Sequence, residues 1–538
     1  MSGTSTTTEG LTHDHGAIAH LDPTTIVIGD NVRDLPTLND AFVSSVREHG
    51  VLQPITALRD SGTGQVTVLD GQLRTLAARE AGLATIPVYV RDDTAADTKV
   101  AVAARVAHQI VTNDQRSALT DAQRARGIQQ MLDAGVTAAK VAKRLAVPKD
   151  TVAAARAVTA STRAMDALDD GQLSLAEAAA LTEFDEDPDA ISRLLGAAGR
   201  PQFAHIVAAL RQERQSAQAY DDAATAWRDR GFTVLDSAPL WRDTGCVALR
   251  YLRRDGETVT DAVVTDPAHW AALLEETASF VDRDTGEPVA EDDIDFDTER
   301  DPDTEAADGL RHFRTVIEKP TFAPQYFCLD HDAAGLDLVE YLANTNPATP
   351  SDPNPGEENG STDEAEPSDV QRRDRRKVLA LNRLGTAAQQ VRRDFVTKLL
   401  TRKTPPKGAA IFMAECLTRD GYLLTQHNGA DLAAELLGLA DADAVRDTVA
   451  KLGASGDGRA QMLTLALVLA ALEARTPKDA WRNAATSAGV SGHWARSVTT
   501  VDYLTFLAAN GYTLAPIEQV ASAALSADEL FDRDNTDG

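Results

Sequence analysis

The sequence predicts a mostly α protein with α+β parts, and three observations carry that prediction. Between Thr24 and Arg91, short apolar strands alternate with short amphipathic helices, the pattern of a small α/β domain. From Asp97 to about residue 200, apolar residues recur at helical spacing. Beyond residue 201 a mixed region and a second helical region are separated by a stretch rich in Pro, Asn, Glu, Ser and Gly. At 538 residues the chain exceeds one hydrophobic core. The expected division is a disordered tail over 1–22, an α/β domain over 23–115 and a helical domain over 116–200. An α+β module over 201–345, an acidic linker over 346–370 and a helical domain over 371–538 complete it.

In the first domain Ile26-Val27-Ile28 reads as a strand, and Leu38 to His49 reads as a helix stopped by Gly50. The strands Ile55 to Leu58 and Gln65 to Leu69 follow, then a helix from Leu73 to Glu80 and a strand over Ile86 to Val90. At Asp70-Gly71-Gln72-Leu73-Arg74 a strand ends in glycine and turns at once into a helix. Such a turn presents backbone N–H groups and an arginine at a helix N-terminus, which suits a phosphate.

In the helical domain Thr120 is a candidate N-cap for a helix that ends at Gly135. Thr137 opens a short helix to Leu145, and Lys149 or Asp150 opens a third after the turn Ala146-Val147-Pro148. Two short helices joined by such a turn fit a helix-turn-helix, or else a plain hairpin in an Ala-rich bundle. Local charge favours the first. The formal net charge of the chain is −29, yet between Arg116 and Arg163 nine basic residues face three acidic ones. Lys143, Arg144 and Lys149 flank the turn, where phosphate contacts are expected. Lys149, Asp150, Ala153 and Arg156 lie at the start of the third helix, where base edges come within reach, and Lys140 and Thr151 complete the candidate DNA-binding set.

Between Phe203 and Arg230 the spacing predicts a long helix, followed by strand segments over 232–235, 246–252 and 262–265, the last two flanking a hairpin turn at Arg254 to Glu257. Cys328 and His331 have metal-ligand spacing, with Cys246 and His269 as remote candidates, against a buried cysteine in an α+β module. His13, His15 and His20 read as part of a solvated tail. From Arg372 to Lys407 twelve basic residues face only Asp374 and Asp394. That run is either a solvated helix face or a second nucleic-acid or dimer surface. The three cysteines are scattered and odd in number, as in a reduced cytoplasmic protein, and no apolar run is long enough for a membrane span.

With these parts in order, the first third of the chain resembles the ParB family of partition proteins. The resemblance rests on Asn31-Val32-Arg33, on Gly50-Val51-Leu52-Gln53-Pro54-Ile55 and on Gly71-Gln72-Leu73-Arg74. It continues through Asn113-Asp114-Gln115-Arg116, the helix-turn-helix and Gly171-Gln172-Leu173-Ser174. The segment Arg402 to Gly408 looks like that of large actinobacterial plasmid relatives. The resemblance implies a ParB/sulfiredoxin-like α/β domain that binds CTP and Mg²⁺, and a homodimer that binds double-stranded DNA at a centromere-like inverted repeat. It also implies a nucleotide-gated sliding clamp, associated with nucleoid or plasmid. By position, Gln53 would face the cytosine and Gly71, Gln72 and Arg74 the triphosphate. Asn113 would help position Mg²⁺, and Arg116 would support the phosphates.

Three departures bear on the chemistry. Gln72 and Leu73 stand where the family's turn usually has Glu and Arg, and Thr112 stands where a Glu usually precedes the Asn. Losing carboxylates that could order water or metal implies at most a weak CTPase. Residues 1–20 hold no Lys or Arg, which argues against the basic peptide by which family members stimulate a ParA-type ATPase. Among rivals, a sulfiredoxin reaction needs a cysteine near the turn, and none precedes Cys246. A small-molecule kinase on this fold would have Asp70 or Glu80 as its base. A transcriptional or plasmid replication regulator of the same architecture remains the main alternative.

Overall fold

The computed structural model describes residues 16–28, 38–93, 99, 103, 106–107, 109–110, 119–240, 245–300, 304–343, 369–425, 429–453, 455–483 and 498–536. It divides into two compact units, Met1–Phe203 and Ala204–Gly538. Asn31 to Arg33, Asn113, Arg116 and Thr112 lie outside the described residues, as does almost all of the linker expected at 346–370.

The first unit opens with a five-stranded sheet in the order β1-β5-β3-β4-β2. The strands are β1 (Ala17–Leu21), β2 (Val27–Ile28), β3 (Ile55–Asp60), β4 (Val66–Asp70) and β5 (Ile86–Asp93). β3 runs parallel to β5 and antiparallel to β4. Helices α1 (Asp40–His49) and α2 (Gln72–Glu80) pack on each other, and Val43, Val46, Ala77 and Ala78 close a core with Ile55, Val68, Ile86 and Val88. β1 corrects one expectation. Residues 17–21 fall in the tail expected to be disordered, yet they pair antiparallel with β5 over five positions. Backbone ladder bonds along β5 order a segment whose composition gives no hint of it. Arg79 then fixes the β1–β2 connection, its guanidinium donating to the Pro23 and Ile26 carbonyls at 2.8 and 2.5 Å.

Helices α3 (Asp121–Asp133), α4 (Ala138–Leu145), α5 (Lys149–Ala160), α6 (Thr162–Asp169), α7 (Leu175–Leu181) and α8 (Pro188–Gly196) follow. Thr120 caps α3 as expected, in a reciprocal box with Gln123. Thr137 holds the N-cap position of α4 without a side-chain bond.

In the second unit the helix Phe203–Asp229 precedes a sheet dominated by two 13-residue antiparallel strands, Trp270–Asp282 and Val316–Cys328. The turn expected at Asp255-Gly256 is present, between strands Leu252–Arg254 and Glu257–Thr258. Asp261–Val263 is a 3₁₀ turn where part of a strand was expected. The module and the C-terminal helices, read from sequence as separate domains, belong to one compact unit. Arg383 pairs with Glu276 and Lys478 with Glu318 across them.

The C-terminal helices wrap Asp457–Ala474, which is buried along most of its length as expected of a helix apolar on every side. The basic run lies mainly on the helix Asp369–Leu400, and much of it is occupied internally. Arg373 pairs with Asp532, Lys377 with Asp528 and Arg393 with Glu473. Arg392 is 2% exposed, donating to both Glu473 oxygens at 2.6 and 3.0 Å and to Glu518 at 2.8 Å. Tyr503 and Tyr512 donate to the same two carboxylates.

Candidate nucleic-acid interface and phosphate-binding turn

The helix pair α4–α5 is built on α3. Val141, Ala142 and Leu145 of α4 and Val152, Ala155 and Val158 of α5 are buried, as are Ala125, Ile128 and Met131 of α3. The Thr159 hydroxyl meets the Gln129 amide at 3.2 Å, tying α5 to α3. α4 ends at Ala146, whose φ of +54° lies in the left-handed region, and the next N–H, from Val147, donates to the Ala142 carbonyl at 3.0 Å. Pro148 then occupies the N-cap position of α5, since its fixed φ and missing N–H suit the entry to a helix.

This geometry turns one charged face outward. Lys140, Lys143, Arg144, Lys149, Asp150 and Arg156 are exposed, and Thr151 is half-buried beside them. Among the described residues, none of these five cations has a carboxylate within ion-pair distance. Other basic residues of the same helical region serve the fold instead. Arg126 pairs with Asp169, and Arg163 donates to the Asp185 carbonyl at 3.1 Å. Six of the seven residues selected from the sequence are thus exposed on these two helices, and Thr151 is half-buried.

At the other candidate site β4 ends at Asp70 and α2 begins at Gln72. Between them Gly71 has φ +98°, and a Cβ there would stand 3.0 Å from the Arg74 guanidinium and 3.1 Å from Ile55. Glycine is required here for conformation and for space. No side chain caps the start of α2. Arg74 folds across the turn, donating to the Gln53 and Pro54 carbonyls at 2.8 and 3.2 Å, with Asp70 at 3.4 Å. The structure thus brings Gln53, Gly71 and Arg74 together, although the backbone carbonyl of Gln53 makes the contact.

Gln72 differs from its expected role. It is 5% exposed, so its amide belongs to the interior of the domain rather than to an open site. Leu52 beside Gln53 is 82% exposed, an apolar residue held in water on the loop next to the turn. Its place in the Gly50 to Ile55 box was the available signal. For the zinc reading, no group of three or more His, Cys, Asp or Glu side chains is disposed to hold a metal among the described residues. Cys328 is buried, and burial raises its thiol pKa.

Comparison with known proteins agrees with the sheet and turn. Residues 12–106 match the model of the ParB N-terminal domain. The chain is 37% identical over 141 residues to the chromosome-partitioning protein Spo0J of Thermus thermophilus, covering 26% of this chain and 49% of that protein. It is 31% identical over 158 residues to a probable chromosome-partitioning protein ParB of Pseudomonas putida, covering 29% and 52%. The chain thus spans about half the length of the curated relatives it matches. Similar solved structures include the C-terminally truncated ParB of Caulobacter crescentus complexed with CTP-gamma-S. That one is 22% identical and covers 34% of this chain and 99% of its own, at a TM-score of 0.16. The same protein complexed to the centromeric parS site is 20% identical and covers 33% and 92%, at 0.25. Residues 12–106 thus match a ParB N-terminal domain, and over about a quarter of its length the chain is similar to chromosome-partitioning proteins.

Proposed function

We propose that this protein is a sequence-specific, double-stranded-DNA-binding partition protein that acts as a homodimer on a centromere-like inverted repeat. The observation that carries the proposal is the exposed α4–α5 cations, five of them without an ion pair among the described residues, in a chain of net charge −29. In this reading α4 and α5 form a helix-turn-helix. Lys140, Lys143 and Arg144 meet phosphates, while Lys149, Asp150, Thr151 and Arg156 enter the major groove. A two-fold dimer presents that face twice, which calls for an inverted repeat.

The phosphate turn is the nucleotide half of the proposal. The helix start at α2, which no side chain caps, the close approach allowed by Gly71 and the Arg74 guanidinium fit a triphosphate, and CTP is the nucleotide that the ParB resemblance implies. Arg74 would exchange its carbonyl partners for phosphate oxygens, and that exchange would couple loading to the Gln53 loop and to closure of a sliding clamp. Asn113 and Arg116 complete the set by position in the sequence, Asn113 as a Mg²⁺ ligand. Hydrolysis is slow in this reading, because Gln72 and Thr112 stand where the family usually has carboxylates. Titration calorimetry with CTP and Mg²⁺ should show saturable binding that Arg74→Ala weakens by about tenfold or more, the loss expected for a charged hydrogen bond. Phosphate release should stay near the protein-free rate with or without site DNA. Genome-wide occupancy tests the DNA half. Spreading over kilobases around one site supports a clamp, whereas narrow promoter peaks would make the protein a transcriptional or replication regulator.

A further inference from the structure

In the second unit, one face of the long strand pair changes character along its length. At one end Ala272, Leu274 and Phe322 pack with Tyr220 and Ala224 of the helix Phe203–Asp229. At the other end Phe280 packs with Ile294 and Val316. Between them the register places Glu276, Ala278, Pro320 and Glu318 on the same face. A face that is apolar at both ends thus carries two carboxylates in its middle, and a cleft of about 290 Å³ lies against them.

The other walls come from regular elements. Gln212 and Gln215 line the cleft from the helix Phe203–Asp229, and Asn382 and Gln389 line it from Asp369–Leu400. Lys478 closes a further side, held there because its carbonyl lies directly against Gly385. Beside it the Trp481 indole N–H donates to the Asn382 side-chain oxygen at 3.0 Å. The charges of the cleft are satisfied among themselves. Arg383 pairs with Glu276 and Lys478 with Glu318, and the Ser216 hydroxyl donates to Glu276 at 3.3 Å. The amides are not. Among the described residues the side chains of Gln212, Gln215 and Gln389 have no hydrogen-bond partner in the protein, although Gln212 and Gln389 are half-buried.

We propose that this cleft binds a neutral polyhydroxylated molecule about the size of one sugar ring, read by Gln212, Gln215 and Gln389. A primary amide both donates and accepts, as a hydroxyl does, whereas a carboxylate only accepts and an ammonium group only donates. A charged ligand would have to draw Arg383 or Lys478 away from its carboxylate, and a partly buried carboxylate left alone is costly. Ala278, Pro320 and Leu379 supply an apolar wall for the C–H face of a ring. At about 30 Å³ each, roughly ten waters fill this volume, and ligand hydroxyl groups can replace them bond for bond. The cleft lies wholly within the second unit, so its occupation does not depend on whether α4 and α5 bind DNA.

The full-length chain is titrated with D-glucose, D-ribose and myo-inositol, and separately with inorganic phosphate and glycine, by saturation-transfer NMR. A Gln212→Leu/Gln389→Leu double variant is run in parallel, with Gln390→Leu as a control on the same helix outside the cleft. Leucine keeps the helix propensity of glutamine, and thermal melts confirm that each variant folds. The parent should bind at least one of the three polyols saturably, with an affinity that salt leaves unchanged because no net charge is read. The double variant should bind about tenfold or more weakly, each lost hydrogen bond contributing about threefold to tenfold. Gln390→Leu should bind as the parent does. A response that is linear in polyol concentration, or equal in parent and double variant, would identify an excluded osmolyte only and overturn the proposal. Saturable binding of phosphate or glycine without any polyol would overturn it too, since the ion pairs would then be reading the ligand.

Discussion

At the scale of single residues, two positions show how little room the backbone leaves. Ala146 closes α4 at φ +54°, a conformation that costs a residue with a Cβ about 1 kcal/mol. Ala146→Gly should therefore stabilise the first unit by about 0.5–1 kcal/mol in urea unfolding. An unchanged or lower midpoint would mean that the turn tolerates the Cβ without strain. Gly385 faces the Lys478 carbonyl so closely that an added Cβ would stand 1.9 Å from its oxygen. Gly385→Ala should destabilise the second unit by about 3 kcal/mol, the upper range for overpacking, because a backbone atom cannot rotate away. A variant that melts with the parent would show that these helices can slide apart.

At the scale of elements, the buried network around Arg392 decides how the C-terminal helices meet. Its guanidinium joins Glu473 on Asp457–Ala474 to Glu518 on Pro516–Ala521, and the Thr476 carbonyl accepts as well. Removing the cation by Arg392→Met strands two buried carboxylates and should cost about 3–5 kcal/mol. Asp502, at the start of the helix Thr500–Ala509, gives a pH signature. Burial opposes its ionisation, and hydrogen bonds from Arg419 and from the Thr499 N–H and hydroxyl outweigh that, so its carboxyl titrates below the usual range. A depressed folded pKa contributes stability above the unfolded value of about 3.9, and that stability is lost as pH falls through the folded value. Stability measured between pH 5 and 2 should fall less steeply in Asp502→Asn than in the parent. Equal slopes would exclude Asp502 as a source of acid sensitivity. The strand Trp270–Asp282 shows tertiary context overriding propensity. Its Ala-Ala-Leu-Leu-Glu-Glu favours a helix, yet it pairs along its full length with Val316–Cys328.

At the scale of the whole molecule, two compact units with their own cores should unfold separately. Calorimetry should resolve two transitions, with Arg392→Met lowering one and leaving the other in place. A single transition that moves as a whole would show that the units are thermodynamically coupled. Charge is divided as unevenly as structure. Among the described residues the exposed cations of α4 and α5 have no ion pairs, while several of those on Asp369–Leu400 are bound to carboxylates of their own unit. Equal-looking basic runs in the sequence thus have different physical fates.

Local signals in the sequence determined most of the N-terminal architecture. Apolar alternation marked β3 and β4, helical spacing and Thr120 marked α3, and the Gly71 turn stood out because few residues other than glycine adopt its backbone conformation. The outward position of Lys143, Lys149 and Arg156 followed from helical periodicity alone, since Val141, Leu145, Val152 and Ala155 had to face inward. Only the tertiary structure decided what depends on distant partners. β1 exists because β5 offers it an edge, and Gln72 turns inward because the domain closes over it. Arg392 lies at the centre of a bundle because Glu473 and Glu518, more than 80 residues away in sequence, converge on it. A charge shows its sign in the sequence, but its partner appears only when the chain has folded.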